Sequence, residues 1–290
     1  MLLDPATLAP AAGVERLLPR EGLKTELFSC LVETNTPVCE SAEEALRELR
    51  RLRAVVSDAA AREGMVVAAT GSHPFALPEE QPVVQEQRYL EMLEELGDVA
   101  RGQLVCGLHV HVGTPSFDAC LRALDGLTPW LPAVLALSAN SPYLAGAETG
   151  ELSSRLARLR ELPRGGPPPP LRTVADWEGA VAAAGVDYTR IWWDARPHPR
   201  LGTLEVRIAD QQTSVERSAA LAALVQALVA APPPSGEDVV AAAEPAAREL
   251  GTWELVELLR QPPEAHRQLE VGRREGLEAV IADVVRRSSG

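Results

Sequence analysis

The chain is predicted to be α+β, with an antiparallel sheet that carries helices on one face and a polar groove on the other. Two observations predict it. Residues 103–113 (QLVCGLHVHVG) and 203–208 (TLEVRI) alternate apolar and polar side chains at period two, as strands with one buried face do. Around them, apolar stretches at 43–62, 118–138 and 215–231 have helical length and spacing. Alternating strands mark an antiparallel sheet solvated on one side, whereas strands buried on both faces read as continuous apolar runs.

Element by element, 23–34 (LKTELFSCLVET) is strand-like with mixed polarity. The 43–62 helix repeats Leu46, Leu49, Leu52, Val55 and Val56 on one face; Ser41 is its expected N-cap, with Glu44 completing a capping box. Met65–Ala69 follows Gly64 as a short apolar strand, and 89–96 is helical. In the 103–113 strand, Leu108, Val110 and Val112 face one way and His109 and His111 the other. The 118–138 helix is interrupted near Pro132. Residues 141–170 are loop-rich, and GGPPPP at 165–170 is expected to hold no regular structure. A strand at 203–208 and a strongly apolar helix at 215–231 come next, then a linker, PPPSGED, at 232–238. Residues 239–286 are all helical. The organisation expected is a core over 1–231 with the 232–290 helical segment packed on the same domain.

At 290 residues and 46% hydrophobic content, the chain can bury one large core or two modest ones. Aromatics are only 4%, so Leu, Val and Ala must fill the interior. A net charge of −13 opposes a phosphate backbone, so no nucleic-acid partner is expected. No run of about 18 apolar residues occurs, so no membrane span is expected. The first residues, MLLDPATLAP, lack the basic and apolar regions of a signal peptide. Four cysteines (Cys30, Cys39, Cys106 and Cys120) without a CxxC pair read as reduced thiols of a cytoplasmic protein.

Chemistry concentrates in three places. His109 and His111, two apart on a strand, project to one face, where they share a metal or a groove or stand as plain exposed histidines. The flanking Gly107 and Gly113 would admit the close approach of a ligand. Glu205 and Arg207 share a face of the 203–208 strand, with Asp210 just beyond; an ion pair and a hard-metal ligand beside a phosphate clamp are the two readings. The stretch 192–203 (WWDARPHPRLGT) packs its tryptophans into the core or walls a groove, with Arg196 suited to a carboxylate or phosphate. Glu26 and Glu33, seven apart, fall on opposite faces of a continuous strand unless the chain bends between them. Cys106 beside the histidines is a minor candidate nucleophile. No phosphate-binding Gly-rich loop and no GxSxG elbow occurs.

Several blocks taken together resemble the type 2 glutamate–cysteine ligase family of carboxylate–amine ligases. They are GSHPF (71–75), CGLHVHVG (106–113), LSANSPYLAG with a following SSR (137–155), LPRGGPPP (162–169) and WWDARPHPRLGTLEVRIAD (192–210), with the apolar helix after them. They stand in the family's order and cover about 10–231, more weakly to the end. The resemblance implies a glutamine-synthetase-like curved antiparallel sheet whose concave face holds ATP, Mg²⁺ and substrate. It implies Glu26, Glu33, His109 and Glu205 as metal ligands. It implies Arg207, Arg196 and His111 as catalytic groups, and Arg155, Trp193 and Asn140 as substrate contacts. It further implies small-molecule carboxylate and amine substrates joined through an amide, γ-glutamyl-type bond, and a homodimer or higher homo-oligomer. It also implies that Glu26 and Glu33 act together, with the chain bending between them.

Two departures stand against the family pattern. A strand bearing G-[IV]-E-x-E normally precedes the MLLDP stretch, and an N-[RK]-W-x-A-x-R-x-G-like segment normally follows the position of Ala231. Neither occurs here. Fewer carboxylates mean weaker hold on a divalent ion, and a missing edge strand would leave backbone groups open. Two further functions are therefore expected alternatives: a remodelled member acting on an amide or amino-acid-like substrate without ATP, and a non-catalytic binding subunit.

Overall fold

The computed structural model describes residues 1–234, 236 and 238–288. The α+β class holds: helices alternate with short strands along the chain. Among the described residues the strands fall into five small sheets. The three-stranded one orders Ala195–His198, Thr203–Val206 and Val110–Gly113, all antiparallel. Two-stranded pairings join Leu2–Leu3 to Val66–Val67, Leu23–Thr25 to Val32–Thr34 and Tyr143–Leu144 to Ala147–Glu148.

The expected long helix runs over Ala42–Arg62, and Ser41 accepts from the Glu44 amide as its N-cap. Only half of the capping box forms, because the Glu44 carboxylate accepts from the Glu40 amide and not from Ser41. The 118–138 stretch splits at prolines into helices Phe117–Leu127 and Leu131–Ser138 with a 3₁₀ turn at Thr128–Trp130 between them. Phe117–Ser138 as a whole is long and apolar enough to cross a membrane, with mean hydropathy 1.2 over its best window. Here Leu121, Leu124, Leu127, Leu131 and Val134 on it pack into the interior.

The 141–170 stretch departs from expectation. It holds a helix, Ser154–Glu161, and Gly165–Gly166 pairs parallel with Trp192–Trp193 although four prolines follow at once. Glycine permits it: Gly166 sits at φ 103°, open to a residue without a Cβ. The linker reading of 232–238 covers two positions, 235 and 237, that lie outside the described residues. Beyond it, helices Val239–Glu249, Trp253–Glu257, Glu264–Glu275 and Leu277–Ser288 follow in succession.

Among the described residues two large apolar cores form, with a small third cluster around Tyr143, Val271 and Val280. The first packs Leu204, Val206, Ile208 and Val110 of the sheet against Leu121 and Leu124 and against helix Val215–Ala230, which is apolar on every side and almost wholly buried. The second gathers Leu2, Leu3, Phe28, Leu52 and Val56 near the N-terminus. The C-terminal helices enter both: Val239, Val240 and Ala243 join the first, and Ile281 and Val284 the second. Leu2–Leu3 is fully buried, with Val66–Val67 on one side and bonds to Cys30 and Ala11 besides, so no open strand edge stands there.

Candidate functional site

The site is built on the polar face of the three-stranded sheet. Register places Glu205 opposite His111 and Val206 opposite Val110. Further along, Gly107 pairs with Asp210. Three residues, Arg207 to Ala209, therefore stand opposite two, Leu108 and His109. That is a β-bulge, which shifts the phase of the strand. Plain alternation puts Asp210 with Leu204 and Val206; the bulge brings it over Gly107 instead.

Glu205 is the hub. It is 2% exposed. Arg196 Nε donates to its Oε2 at 2.7 Å and Arg207 Nη1 to its Oε1 at 2.5 Å. His109 Nδ1 and His111 Nε2 lie 3.6 and 3.9 Å from the same Oε1, so both histidines share its face as the alternation predicts. Burial pushes the Glu205 carboxyl up, but Arg207, Arg196 and His109 together outweigh it and bring it down to about 2. Burial and then the Arg207 charge hold His109 well below the ordinary imidazole value. The His109 side chain is 39% open, so the direction rests chiefly on the arginine. His111 is lowered by burial against the pull of Glu205, and its Nδ1 sits 3.1 Å from Thr203 Oγ1.

The remaining expected residues sit as follows. Arg196 is buried, and its Nη1 donates to the carbonyls of Tyr188, Thr189 and Ile191. Trp193 lies in the core, edge-on to Trp177. Asn140 is fully buried; it donates to Gln211 O and Thr213 Oγ1 and accepts from Gln268 Nε2. Arg155 is buried, with Nη1 on Ile208 O at 3.1 Å and Nη2 on Arg207 O at 3.0 Å. The group that approaches Gly107 is thus Arg155 of the chain itself: a Cβ there would lie 2.1 Å from Arg155 Nη2. Burial pushes the Cys106 thiol up, which opposes its use as a nucleophile.

Glu26 and Glu33 do come into electrostatic reach. The chain turns between Leu23–Thr25 and Val32–Thr34, pairing Lys24 with Glu33. Burial raises the Glu26 carboxyl, the Glu33 charge raises it further, and Arg88 and Arg207 oppose. Among the described residues no group of three or more His, Cys, Asp and Glu side chains is arranged to hold a metal. Glu205 is occupied by two guanidiniums, whereas Glu26 accepts from the Leu27 amide. Mg²⁺ takes one or two carboxylates and completes its shell with water and substrate phosphate, so in donor chemistry Glu26 and Glu33 would suit it.

Three groups have partners that the sequence reading did not assign. Asp194 takes Arg160 in a fork, at 2.7 and 2.8 Å, and its carbonyl accepts from the Arg207 amide. Tyr188 Oη meets His198 Nδ1 at 3.3 Å, and the His198 ring packs on His111. Asp210, fully buried, accepts from the Asn140 amide and from the hydroxyls of Ser141 and Ser153. The Arg160–Asp194 pair spans 34 residues, and no local spacing signals it. Asp210 ends the TLEVRIAD block, just beyond Glu205 and Arg207, but nothing local signals its bonds to Asn140, Ser141 and Ser153.

The fold and this face define an α+β protein with an arginine-bound carboxylate at its centre and a second, acidic pair beside it. The chain belongs to glutamate-cysteine ligase family 2 (GCS2), whose model matches residues 3–287. It is 40% identical over 240 residues to "Putative glutamate--cysteine ligase 2-1" of Rubrobacter xylanophilus, covering 79% of this chain and 64% of that protein. It is 38% identical over 238 residues to "Putative glutamate--cysteine ligase 2" of Herpetosiphon aurantiacus, covering 78% and 62%. The chain thus spans less than two thirds of the length of these relatives.

Proposed function

We propose that the chain is a carboxylate–amine ligase that forms a γ-glutamyl-type amide bond with ATP as co-substrate and Mg²⁺ as cofactor. The observation that carries the reading is Glu26 within electrostatic reach of both Glu33 and Arg207, on a chain of this family. Glu26 and Glu33 would hold the metal, whose chemistry would be to neutralise triphosphate charge. The substrate carboxylate oxygen bonds to the γ-phosphorus and ADP leaves. The amine then bonds to the acyl carbon, phosphate leaves and the amine releases a proton. Arg207 has the more open side chain of the two arginines on Glu205, so it faces the anionic groups, while His109 and His111 line the same side of Glu205. Arg196 orients Glu205, and Glu205 fixes both arginines. The reading includes a curved sheet completed in the glutamine-synthetase manner, a cytoplasmic site of action and at least a homodimer.

The test is incubation of the purified chain with ATP, Mg²⁺, glutamate and a panel of amines. ADP and a new amide are expected, and Glu33→Gln is expected to raise the Mg²⁺ needed for half-maximal rate about tenfold, the effect of one weakened contact of about 1.4 kcal/mol. Absence of both nucleotide turnover and nucleotide binding would overturn the reading. A second reading, amide chemistry without ATP, is favoured by the saturation of Glu205 by arginines; strict dependence of product on ATP excludes it.

A further inference from the structure

We propose that Arg155 is a positioning residue: its buried guanidinium clamps the bulge between Val206 and Asp210 and so sets Arg207 against Glu205. The inference deepens the ligase reading by adding a residue that aims its phosphate-side arginine, although the clamp itself stands on geometry.

A bulge leaves main-chain groups without ladder partners, and buried carbonyls require donors. Here the carbonyls of Arg207 and Ile208, inside the bulge, are taken by Arg155 Nη2 and Nη1. The Arg207 amide, at the other end of the same residue, is bonded to Asp194 O at 2.7 Å. Both main-chain groups of Arg207 are thereby held, and its side chain can only leave in one direction, onto Glu205 Oε1. A partner that bridges two adjacent carbonyls with parallel donors must have the guanidinium fork.

The clamp is itself mounted rigidly. Arg155 sits in the first turn of helix Ser154–Glu161, whose N-cap Ser153 donates its hydroxyl to Asp210 Oδ1 at 2.9 Å. The Arg155 amide donates to Ser141 Oγ, which in turn donates to Asp210 Oδ2 at 2.7 Å. Asp210 Oδ1 lies 4.0 Å from Arg155 Nη1 and supplies the nearest negative charge. Across the bridge from Asp210 the guanidinium lies against Gly107, where a Cβ would come within 2.1 to 2.8 Å of three of its atoms. Helix start, bulge and glycine therefore form one unit whose output is the direction of Arg207.

The test compares Arg155→Met, Arg155→Lys and Gly107→Ala in the full chain. Hydrogen exchange of amides 205–210 is expected to speed about tenfold or more in Arg155→Met, with the Val215–Ala230 helix unchanged and a smaller rise in Arg155→Lys. In a crystal structure of Arg155→Met the Arg207–Glu205 contact is expected to be lost. Per folded molecule, kcat is expected to fall about 100-fold, as for a reacting group displaced by about 1 Å, with KM for the carboxylate changed less than about threefold. On an Arg207→Met background, Arg155→Met is expected to add less than about twofold. Gly107→Ala, which displaces the guanidinium without removing it, gives the same signature and decides the matter if Arg155→Met fails to fold. Unchanged exchange with an intact Arg207–Glu205 contact, or full additivity with Arg207→Met, overturns the proposal. A wild-type chain without turnover sinks the ligase reading alone, because exchange and crystallography still decide the clamp.

Discussion

Glu205, on the Thr203–Val206 strand, and Asp210, at the isolated bridge beyond its end, are both almost entirely enclosed, and their surroundings treat them oppositely. Glu205 is bonded by two guanidiniums and is pulled down to about 2. Asp210 accepts three bonds from an amide and two hydroxyls, has its arginine at 4.0 Å, and is pushed up by burial. The first carboxylate is held as a charge and the second as a hydrogen-bond acceptor. Burial is common to both, so the sign of the shift is decided by whether the bonding partners are charged.

The largest effect expected from this contrast is at Glu205. Glu205→Gln keeps the shape and leaves Arg196 and Arg207 without a counter-charge in a closed site. Removing one partner from a buried charge cluster costs about 3–5 kcal/mol. Urea unfolding is expected to show a loss of that size. A change below about 1 kcal/mol, the range of solvent-screened pairs, would mean that water reaches the pair and that the contrast with Asp210 is not real. Loss of activity in Glu205→Gln must accordingly be corrected for loss of folded protein before any chemical role is assigned.

The second effect is a pH signature. Glu205 has a folded value of about 2 against 4.5 unfolded. A depressed carboxylate contributes stability that is complete above 4.5 and is lost as pH falls through 4.5 to about 2, on the order of 3 kcal/mol at most. His73 adds a separate window. It is 1% exposed, accepts the Ala76 amide at Nδ1 and meets Leu8 O at 2.9 Å through Nε2, and burial depresses it from 6.5 to about 4. The neutral ring is the one the fold favours, so its contribution is complete above 6.5 and lost as pH falls from 6.5 to about 4. Unfolding free energy measured from pH 7 to 3 is expected to fall in two stages. His73→Gln flattens the upper stage and Glu205→Gln the lower. A lower stage that survives in Glu205→Gln would assign it to other carboxylates.

What the sequence made legible follows the same division between local and distant interactions. The Ala42–Arg62 helix, the Thr203–Val206 strand and the shared face of His109, His111 and Glu205 were readable because period and face are local properties. The helix Val174–Ala184 went unread because its alanines carry little periodic contrast, although Thr173 and Asp176 form a full capping box that marks its start. The roles of Arg155 and Arg196 were not readable, since each binds backbone carbonyls that a fold must first assemble. The bulge was invisible because the apolar alternation runs unbroken through Ile208 and the extra residue is defined only by the opposite strand. The bend that brings Glu26 towards Glu33 was left open by spacing, since a turn and a straight strand use the same residues there.

The smallest effect expected is at Asp210. Asp210→Asn retains one carbonyl oxygen in the position of Oδ2, which serves the Asn140 amide and the Ser141 hydroxyl. The new amide group faces Ser153 Oγ, and that hydroxyl can rotate to accept. Only the charge opposite Arg155 is lost, across a distance too long for a direct bond. A loss of about 1–2 kcal/mol is expected, well below that of Glu205→Gln. The pH dependence should differ in sign as well. A carboxyl raised by burial contributes stability below its unfolded value of 3.8 that is lost as pH rises, so replacing it removes a cost at neutral pH and offsets part of the lost bonding. If Asp210→Asn instead costs as much as Glu205→Gln at pH 7, then Arg155 depends on the Asp210 charge. The two carboxylates would then be equivalent ion-pair centres, and the bulge clamp would be anchored by electrostatics instead of by its two carbonyl bonds.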